Sequence, residues 1–158
     1  MNRLSHLHIR FNPDHKRAIY AVLTLLWASG ALWLLFHYFF RVAGDFGAQA
    51  HPLENWWLRL HGLASFATLV VIGSVLPVHA RHAWQLKKNR ASGLSMKLIS
   101  LWMAVTGYAL YYFASDANAD WLPHLHWIVG LALPLFLIFH IRRGRAPKIP
   151  HKPASPSI

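Results

Sequence analysis

The chain contains no cysteine. That absence excludes disulfide bonds, thiolate zinc sites, cysteine-ligated iron–sulfur clusters and haem attached through thioether bonds. Acidic residues are also scarce, with 5 Asp and Glu against 16 Lys and Arg in 158 residues. Histidine, by contrast, occurs 12 times, several-fold above its ordinary usage. Any functional interpretation has to explain this excess.

The composition is that of a membrane protein of one domain. Hydrophobic residues make up 55% of the chain and charged residues 13%, which is too apolar for an ordinary soluble domain of this size. A net charge of +11 is typical of nucleic-acid binders, but here the basic residues lie in the gaps between long apolar runs. This pattern indicates membrane lipid as the partner and predicts that the chain does not bind nucleic acid.

Four apolar stretches are long enough to cross a bilayer core of about 30 Å, which requires roughly 20 helical residues. The predicted spans cover residues 18–40, 58–78, 97–113 and 122–141. The predicted fold class is therefore all-α, an integral membrane four-helix bundle.

The basic residues predict the orientation of these spans, because cytoplasmic loops carry an excess of Lys and Arg. Of the 16 basic residues, only Arg41 and Arg59 lie in or next to the two loops opposite the termini. Both termini are therefore predicted to be cytoplasmic. The chain divides into a basic cytoplasmic segment (1–17), a transmembrane domain (18–145) and a disordered, proline-rich basic tail (146–158).

The histidines in the spans fall on two helical faces. Polar side chains in a span are costly and normally face the protein interior. His61 and His79 are 18 residues apart, which is five complete turns, so both lie on one face of span two. His126 and His140 are 14 residues apart, just short of four turns, and share a face of span four. Because spans two and four run in the same direction, His61 pairs with His126 at the outer end and His79 with His140 at the inner end.

Two such cross-helix pairs suit two planar metal macrocycles held by imidazole from both sides, the way haem b is bound. At 1.5 Å per residue the two levels are about 27 Å apart along span two but about 21 Å along span four. Unequal tilt, a distortion near Gly73 and Pro77, or His82 in place of His79 would remove this mismatch. His37, near the outer end of span one, is a second alternative ligand.

Other residues near these histidines are candidates for supporting roles. Small residues offer low relief where a flat macrocycle or a helix approaches closely, and arginines pair with haem propionates. The small residues are Gly62, Ala64, Ser65, Gly73 and Gly130, and the candidate propionate partners are Arg59, Arg81 and Arg142.

The segments WWLRLHGLASF, LPVHARHAW, MAVTGYALYYFAS and LHWIVGLALPLFLIFHI resemble the bacterial membrane di-haem cytochrome b superfamily. This superfamily includes the cytochrome b561 type and the cytochrome b subunits of formate dehydrogenases and nickel–iron hydrogenases. A His-x-x-x-Gly start with a later His in one helix recurs there, and His126, Gly130 and His140 match it. The spacing of His61 and His79 is longer than the family's usual spacing for paired haems.

The resemblance implies transmembrane electron transfer through two b-type haems in a bacterial inner membrane. It also implies a membrane quinone at one side and a periplasmic or membrane redox partner at the other. Whether the chain is an independent cytochrome b or the membrane subunit of an oxidoreductase stays open at this point. Polar residues near the outer face are candidates for the quinone site: Tyr111, Tyr112, Asp116 and Asp120.

Two other function classes compete with electron transfer. A haem-free membrane anchor or assembly subunit would carry the same histidines as interfacial residues. A metal or proton transporter would use them as a relay, but such a protein is expected to bury carboxylates within its spans. The predicted spans contain none, which counts against the transporter.

Overall fold

A computed structural model describes residues 12–85 and 90–145, apart from the side chains at 78–83, 85 and 145. Four helices account for most of the described chain: α1 (Pro13–Phe39), α2 (Pro52–Gln85), α3 (Arg90–Tyr112) and α4 (Leu122–Arg145). Each has the length and apolar composition needed to cross a membrane. The prediction of a multi-pass, mainly helical membrane protein is therefore confirmed.

The helices are longer than the apolar runs that predicted them. Helix α1 begins at Pro13, because Asn12 caps it with a side-chain oxygen that accepts a hydrogen bond from the Asp14 amide at 3.2 Å. Proline suits the first helical position, where no amide donor is required. Hydropathy therefore located the apolar part of each helix, whereas the cap at Asn12 sets where α1 begins.

A short β-hairpin, which the all-α prediction missed, joins α1 to α2. Strands β1 (Arg41–Gly44) and β2 (Gly47–Ala50) are antiparallel, with Gly44 opposite Gly47. Gly47 has a φ of 111°, a conformation that glycine adopts at little cost. The hairpin reverses the chain and marks one end of the molecule, called the β-hairpin end below.

The helices associate as two antiparallel pairs. Helix α1 packs mainly on α2, and α3 packs mainly on α4, whereas contacts between the two pairs are sparse. One hydrogen bond between the pairs runs from the Trp27 indole N–H to the carbonyl of Leu131, at 3.3 Å. The first pair (α1–α2) and the second pair (α3–α4) contact each other mainly through α1 with α4 and through α2 with α3.

The side chains that are most buried in the described part of the chain are small. Ser29, Ala64 and Thr106 are at most 5% exposed, whereas many Leu, Phe and Trp side chains face outward. Small residues allow helix backbones to approach closely, and large apolar ones meet the lipid tails. Of the low-relief glycines expected from the sequence, Gly130 lies against Met103, but Gly62 and Gly73 face open space.

Replacing Ala64 by leucine is expected to destabilise the protein by about 1–3 kcal/mol, because the larger side chain has no room in the buried position. Unfolding in detergent micelles measures the change. The matched control is Ala104→Leu at an exposed position of α3. Equal stability of the two variants would contradict the tight packing at Ala64.

Candidate functional site

Two histidines from different helical pairs meet between α2 and α4. The ring centroids of His61 and His126 lie 6.3 Å apart, and their planes are at 89°. Both side chains are half-buried. The structure thus brings together the two residues that helical periodicity assigned to one end of the spans.

The His61 ring is held by helix α1. Its Nδ1 lies 2.9 Å from the carbonyl oxygen of Leu26 and 3.2 Å from the hydroxyl of Ser29. A carbonyl oxygen only accepts hydrogen bonds, so Nδ1 carries the proton and donates. In the neutral ring, Nε2 then holds the lone pair that binds a metal.

The His126 ring is held in the same protonation state by helix α3. Its Nδ1 lies 2.9 Å from the hydroxyl oxygen of Thr106. That hydroxyl donates its own proton to the carbonyl of Trp102, at 2.8 Å, so its oxygen accepts from Nδ1–H. Within the described residues, the hydrogen bonds of both rings are made through Nδ1, which leaves both Nε2 atoms as potential ligands.

Each ring also lies directly against a glycine. A Cβ added at Gly30 would come within 2.9 Å of Cε1 of His61, and one at Gly107 within 3.2 Å of Cε1 of His126. The first distance is too short for any side chain, and the second is tighter than ordinary contact. Glycine is therefore required at position 30 for the observed ring position, and it eases the packing at position 107.

The two helical pairs present their histidines through a repeated local arrangement. In each pair, a hydroxyl residue followed by glycine on the first helix (29–30 and 106–107) contacts a histidine on the second. Sequence analysis missed this repeat. The shared signal is only a Ser-Gly or Thr-Gly dipeptide followed one span later by a histidine, which is too short to stand out in apolar helices.

The 6.3 Å between the His61 and His126 ring centroids is an ordinary edge-to-face ring contact, and it is also compatible with two imidazoles on one metal ion. Metal–imidazole bonds are about 2 Å long, so two coordinated nitrogens lie about 4 Å apart and the centroids behind them about 6 Å apart. No cluster of three or more His, Cys, Asp or Glu exists among the described residues. A bare ion would lack ligands here, whereas a planar macrocycle needs only two axial ones from the protein.

At the opposite end of the second pair, His140 lies near a hydroxyl on α3. Its Nδ1 is 3.3 Å from Oγ of Ser92, and both residues line a cleft of about 460 Å³ with mostly apolar walls. The side chains of His79, Arg81 and His82 lie outside the described part of the structure. The pairing of His140 with His79 therefore stays a prediction.

The two remaining candidate arginines are exposed. Arg59 lies over the ring of Trp56, 5.4 Å from its centroid, and Arg142 is also at the surface. Arg59 precedes His61 by two positions, and Arg142 follows His140 by two positions. Two positions correspond to about 200° around a helix. The arginines are therefore on the sides of α2 and α4 away from their neighbouring histidines.

The alternative ligand His37 has a carboxylate partner. Its Nδ1 lies 2.7 Å from Oε1 of Glu54, and its ring stacks on Trp33 with centroids 4.8 Å apart. Sequence analysis did not single out Glu54, although it is one of only 5 acidic residues.

The polar residues expected at a quinone site are all at the surface. Tyr111 and Tyr112 are 81% and 63% exposed, and the nearby acidic residues Asp116 and Asp120 are exposed as well. They form no enclosed site in the described structure.

Comparison of the chain with models of protein families, with curated proteins and with solved structures gives no match. The resemblance to di-haem cytochromes b therefore stays a prediction from the sequence segments.

Gly30→Ala is expected to displace the His61 ring from the Leu26 carbonyl, because the new methyl group would overlap the imidazole. The Cε1–H resonance of His61, measured by NMR in detergent micelles and assigned with a His61→Gln variant, reports the displacement. Gly62→Ala is the control, since a Cβ there meets nothing within 4 Å. An unshifted His61 resonance in Gly30→Ala would contradict the close contact.

Proposed function

We propose that this chain is a b-type cytochrome that transfers electrons across a bacterial inner membrane. The electron partners are a membrane quinone and a periplasmic or membrane redox protein. In this proposal the helices form a four-helix bundle with both termini in the cytoplasm, so that the β-hairpin end is the outer end. The single observation that carries the proposal is the His61–His126 pair, whose spacing suits two axial ligands of one haem iron.

The residues around the pair fit a bis-imidazole haem. Donation from Nδ1 to a carbonyl or hydroxyl oxygen fixes ring orientation and makes Nε2 a better ligand, as is usual for metal-bound histidine. The two ligands come from different helical pairs that otherwise touch sparsely. A haem bound there would supply a one-electron carrier, and the protein's part is to hold the rings and exclude water.

A second haem is proposed at the other membrane surface, with His140 and His79 as ligands and His82 as the alternative to His79. Support comes from Ser92. Its hydroxyl lies near Nδ1 of His140, as the hydroxyl of Thr106 lies near Nδ1 of His126. Ser92 precedes Thr106 by 14 residues on α3, and His140 follows His126 by 14 residues on α4, which is about 21 Å of helix in each case. The adjoining cleft has the volume of an ordinary cofactor pocket, roughly 300–1,000 Å³.

The test is a reduced-minus-oxidised visible spectrum of the purified full chain, combined with a pyridine haemochrome assay. Two b-type haems per chain are expected. A folded but colourless protein from cells supplied with haem would refute the proposal and favour the haem-free anchor.

Ligand variants assign the sites. His61→Ala and His126→Ala are each expected to remove the same single haem, and His140→Ala the other one, because one axial bond is lost. His124→Ala, at an exposed position two residues from His126, is the matched control and should retain both haems. Retention of both haems by His61→Ala would refute the ligand assignment, as would loss of one in His37→Ala.

Thr106→Val is expected to raise the midpoint potential of the outer haem. It removes the acceptor for Nδ1–H, so His126 becomes a poorer electron donor and the oxidised iron is stabilised less. A hydrogen bond worth about 1 kcal/mol corresponds to about 40 mV for one electron. A redox titration measures the shift, and Thr106→Ser, which keeps the hydroxyl, should titrate like the parent protein. An unchanged potential in Thr106→Val would contradict this role of the hydroxyl.

A further inference from the structure

The most exposed large apolar side chain in the described part of the chain is that of Phe46, which is 99% exposed. It lies in a two-residue turn, because Gly44 pairs with Gly47 and leaves only Asp45 and Phe46 between β1 and β2. Such turns favour Gly, Asn and Asp, which suit a tight reversal of the backbone. Turn geometry therefore does not account for a phenylalanine at this position, and neither does packing within the protein.

The hairpin is attached to two helices by very short connections. Only Phe40 separates α1 from β1, and only His51 separates β2 from α2. Nδ1 of His51 accepts a hydrogen bond from the Leu53 amide at 3.1 Å, and its ring meets that of Phe36 on α1 edge-on, with centroids 4.9 Å apart. The base of the hairpin is therefore held at the ends of two helices that have the length and composition of membrane spans.

The exposed surface beside the base of the hairpin is aromatic. Tyr38, Phe39 and Phe40 at the end of α1 are between 49% and 76% exposed, and Trp56 near the start of α2 is 63% exposed. Aromatic side chains collect where the hydrocarbon core of a bilayer meets the headgroups. The hairpin therefore begins at this boundary and not in the bulk water beyond it.

The hairpin can take two directions from that boundary. Five residues separate Arg41 from Phe46, which is up to about 17 Å of strand, whereas the headgroup layer is only roughly 5–8 Å thick. A hairpin that continues along the helix axis would place the Phe46 ring in water, where apolar surface is unfavourable. A hairpin that lies along the membrane surface would place the ring against the acyl chains.

The polar groups of the hairpin limit how deeply it enters the bilayer. Its two charged residues, Arg41 and Asp45, have opposite signs, and the Arg41 guanidinium donates a hydrogen bond to the carbonyl of Ala48 at 3.4 Å. The outer backbone groups of a two-stranded hairpin need water or headgroups as partners, because the hydrocarbon offers none. The strands therefore belong in the headgroup layer, from which the Phe46 ring alone can reach the acyl chains.

We propose that the hairpin of β1 and β2 lies in the headgroup layer of the membrane and inserts the Phe46 ring among the upper acyl chains. Burial of a phenylalanine side chain favours the inserted state by about tenfold or more. Because the charges of Arg41 and Asp45 cancel, insertion does not require anionic lipid. The proposal involves no haem and no particular orientation of the chain, so it is independent of the proposed electron transfer.

The test introduces single spin labels, which is direct because the chain has no cysteine of its own. Ala48→Cys carries a nitroxide at an exposed position of β2, and Ala117→Cys carries one in the exposed loop between α3 and α4 at the same end of the molecule. The full chain is placed in phosphatidylcholine nanodiscs. Power-saturation EPR then compares collisions with oxygen, which concentrates in lipid, and with a water-soluble nickel complex. The oxygen-to-nickel ratio is expected to be higher at position 48 than at position 117.

Phe46→Ser, combined with Ala48→Cys, is expected to lower this ratio to the value at position 117, because the side chain that holds the hairpin in lipid is lost. Phe46→Leu is the matched control, since it keeps a large apolar side chain, and it should retain the ratio of the parent. Neither change removes a packing contact, because the Phe46 side chain is almost fully exposed.

Three outcomes would overturn the proposal. Equal ratios at positions 48 and 117 with Phe46 in place would put the hairpin in water. An unchanged ratio in Phe46→Ser would show that Phe46 is not the anchor. A label at position 48 shielded from both oxygen and nickel would indicate that a second copy of the chain, and not lipid, covers the hairpin.

Discussion

A polar group buried between these helices has to find its hydrogen-bond partner within the protein, because lipid tails offer none. His61 meets this requirement through the carbonyl of Leu26 and the hydroxyl of Ser29. His126 meets it through Thr106, whose proton is already committed to a backbone carbonyl. In both rings, the hydrogen bond at Nδ1 fixes the tautomer and leaves the lone pair on Nε2.

The same requirement explains how the helices pair. To bring a hydroxyl or carbonyl within hydrogen-bond distance of an imidazole, the backbones must approach closely, which Gly30 and Gly107 permit. Each helical pair is therefore joined around its own histidine, while contacts between the pairs are sparse. A group ligated by both His61 and His126 would join them, which connects the assembly of the protein to the proposed cofactor.

Local sequence patterns predicted several features well. The 20-residue scale of a bilayer crossing located all four helices. The 3.6-residue period put His61 and His126 on faces that the structure brings together. These predictions succeeded because length, hydropathy and helical phase are local properties. The β-hairpin escaped prediction because a short turn around Gly47 left little signal beside long apolar runs.

The sequence alone determined that the chain has four segments long and apolar enough to cross a membrane and that histidine is its main ligand-type residue. Only the tertiary structure decided which partner each histidine has. His37 binds Glu54 and His61 contacts α1, although both histidines lie on apolar helices. The tertiary structure likewise places Arg59 and Tyr111 at the surface. From the sequence, Arg59 is a candidate propionate partner and Tyr111 a candidate quinone-site residue. The physical reason is that a hydrogen-bond partner is set by the approach of two helices, and a single helix carries no record of its neighbour.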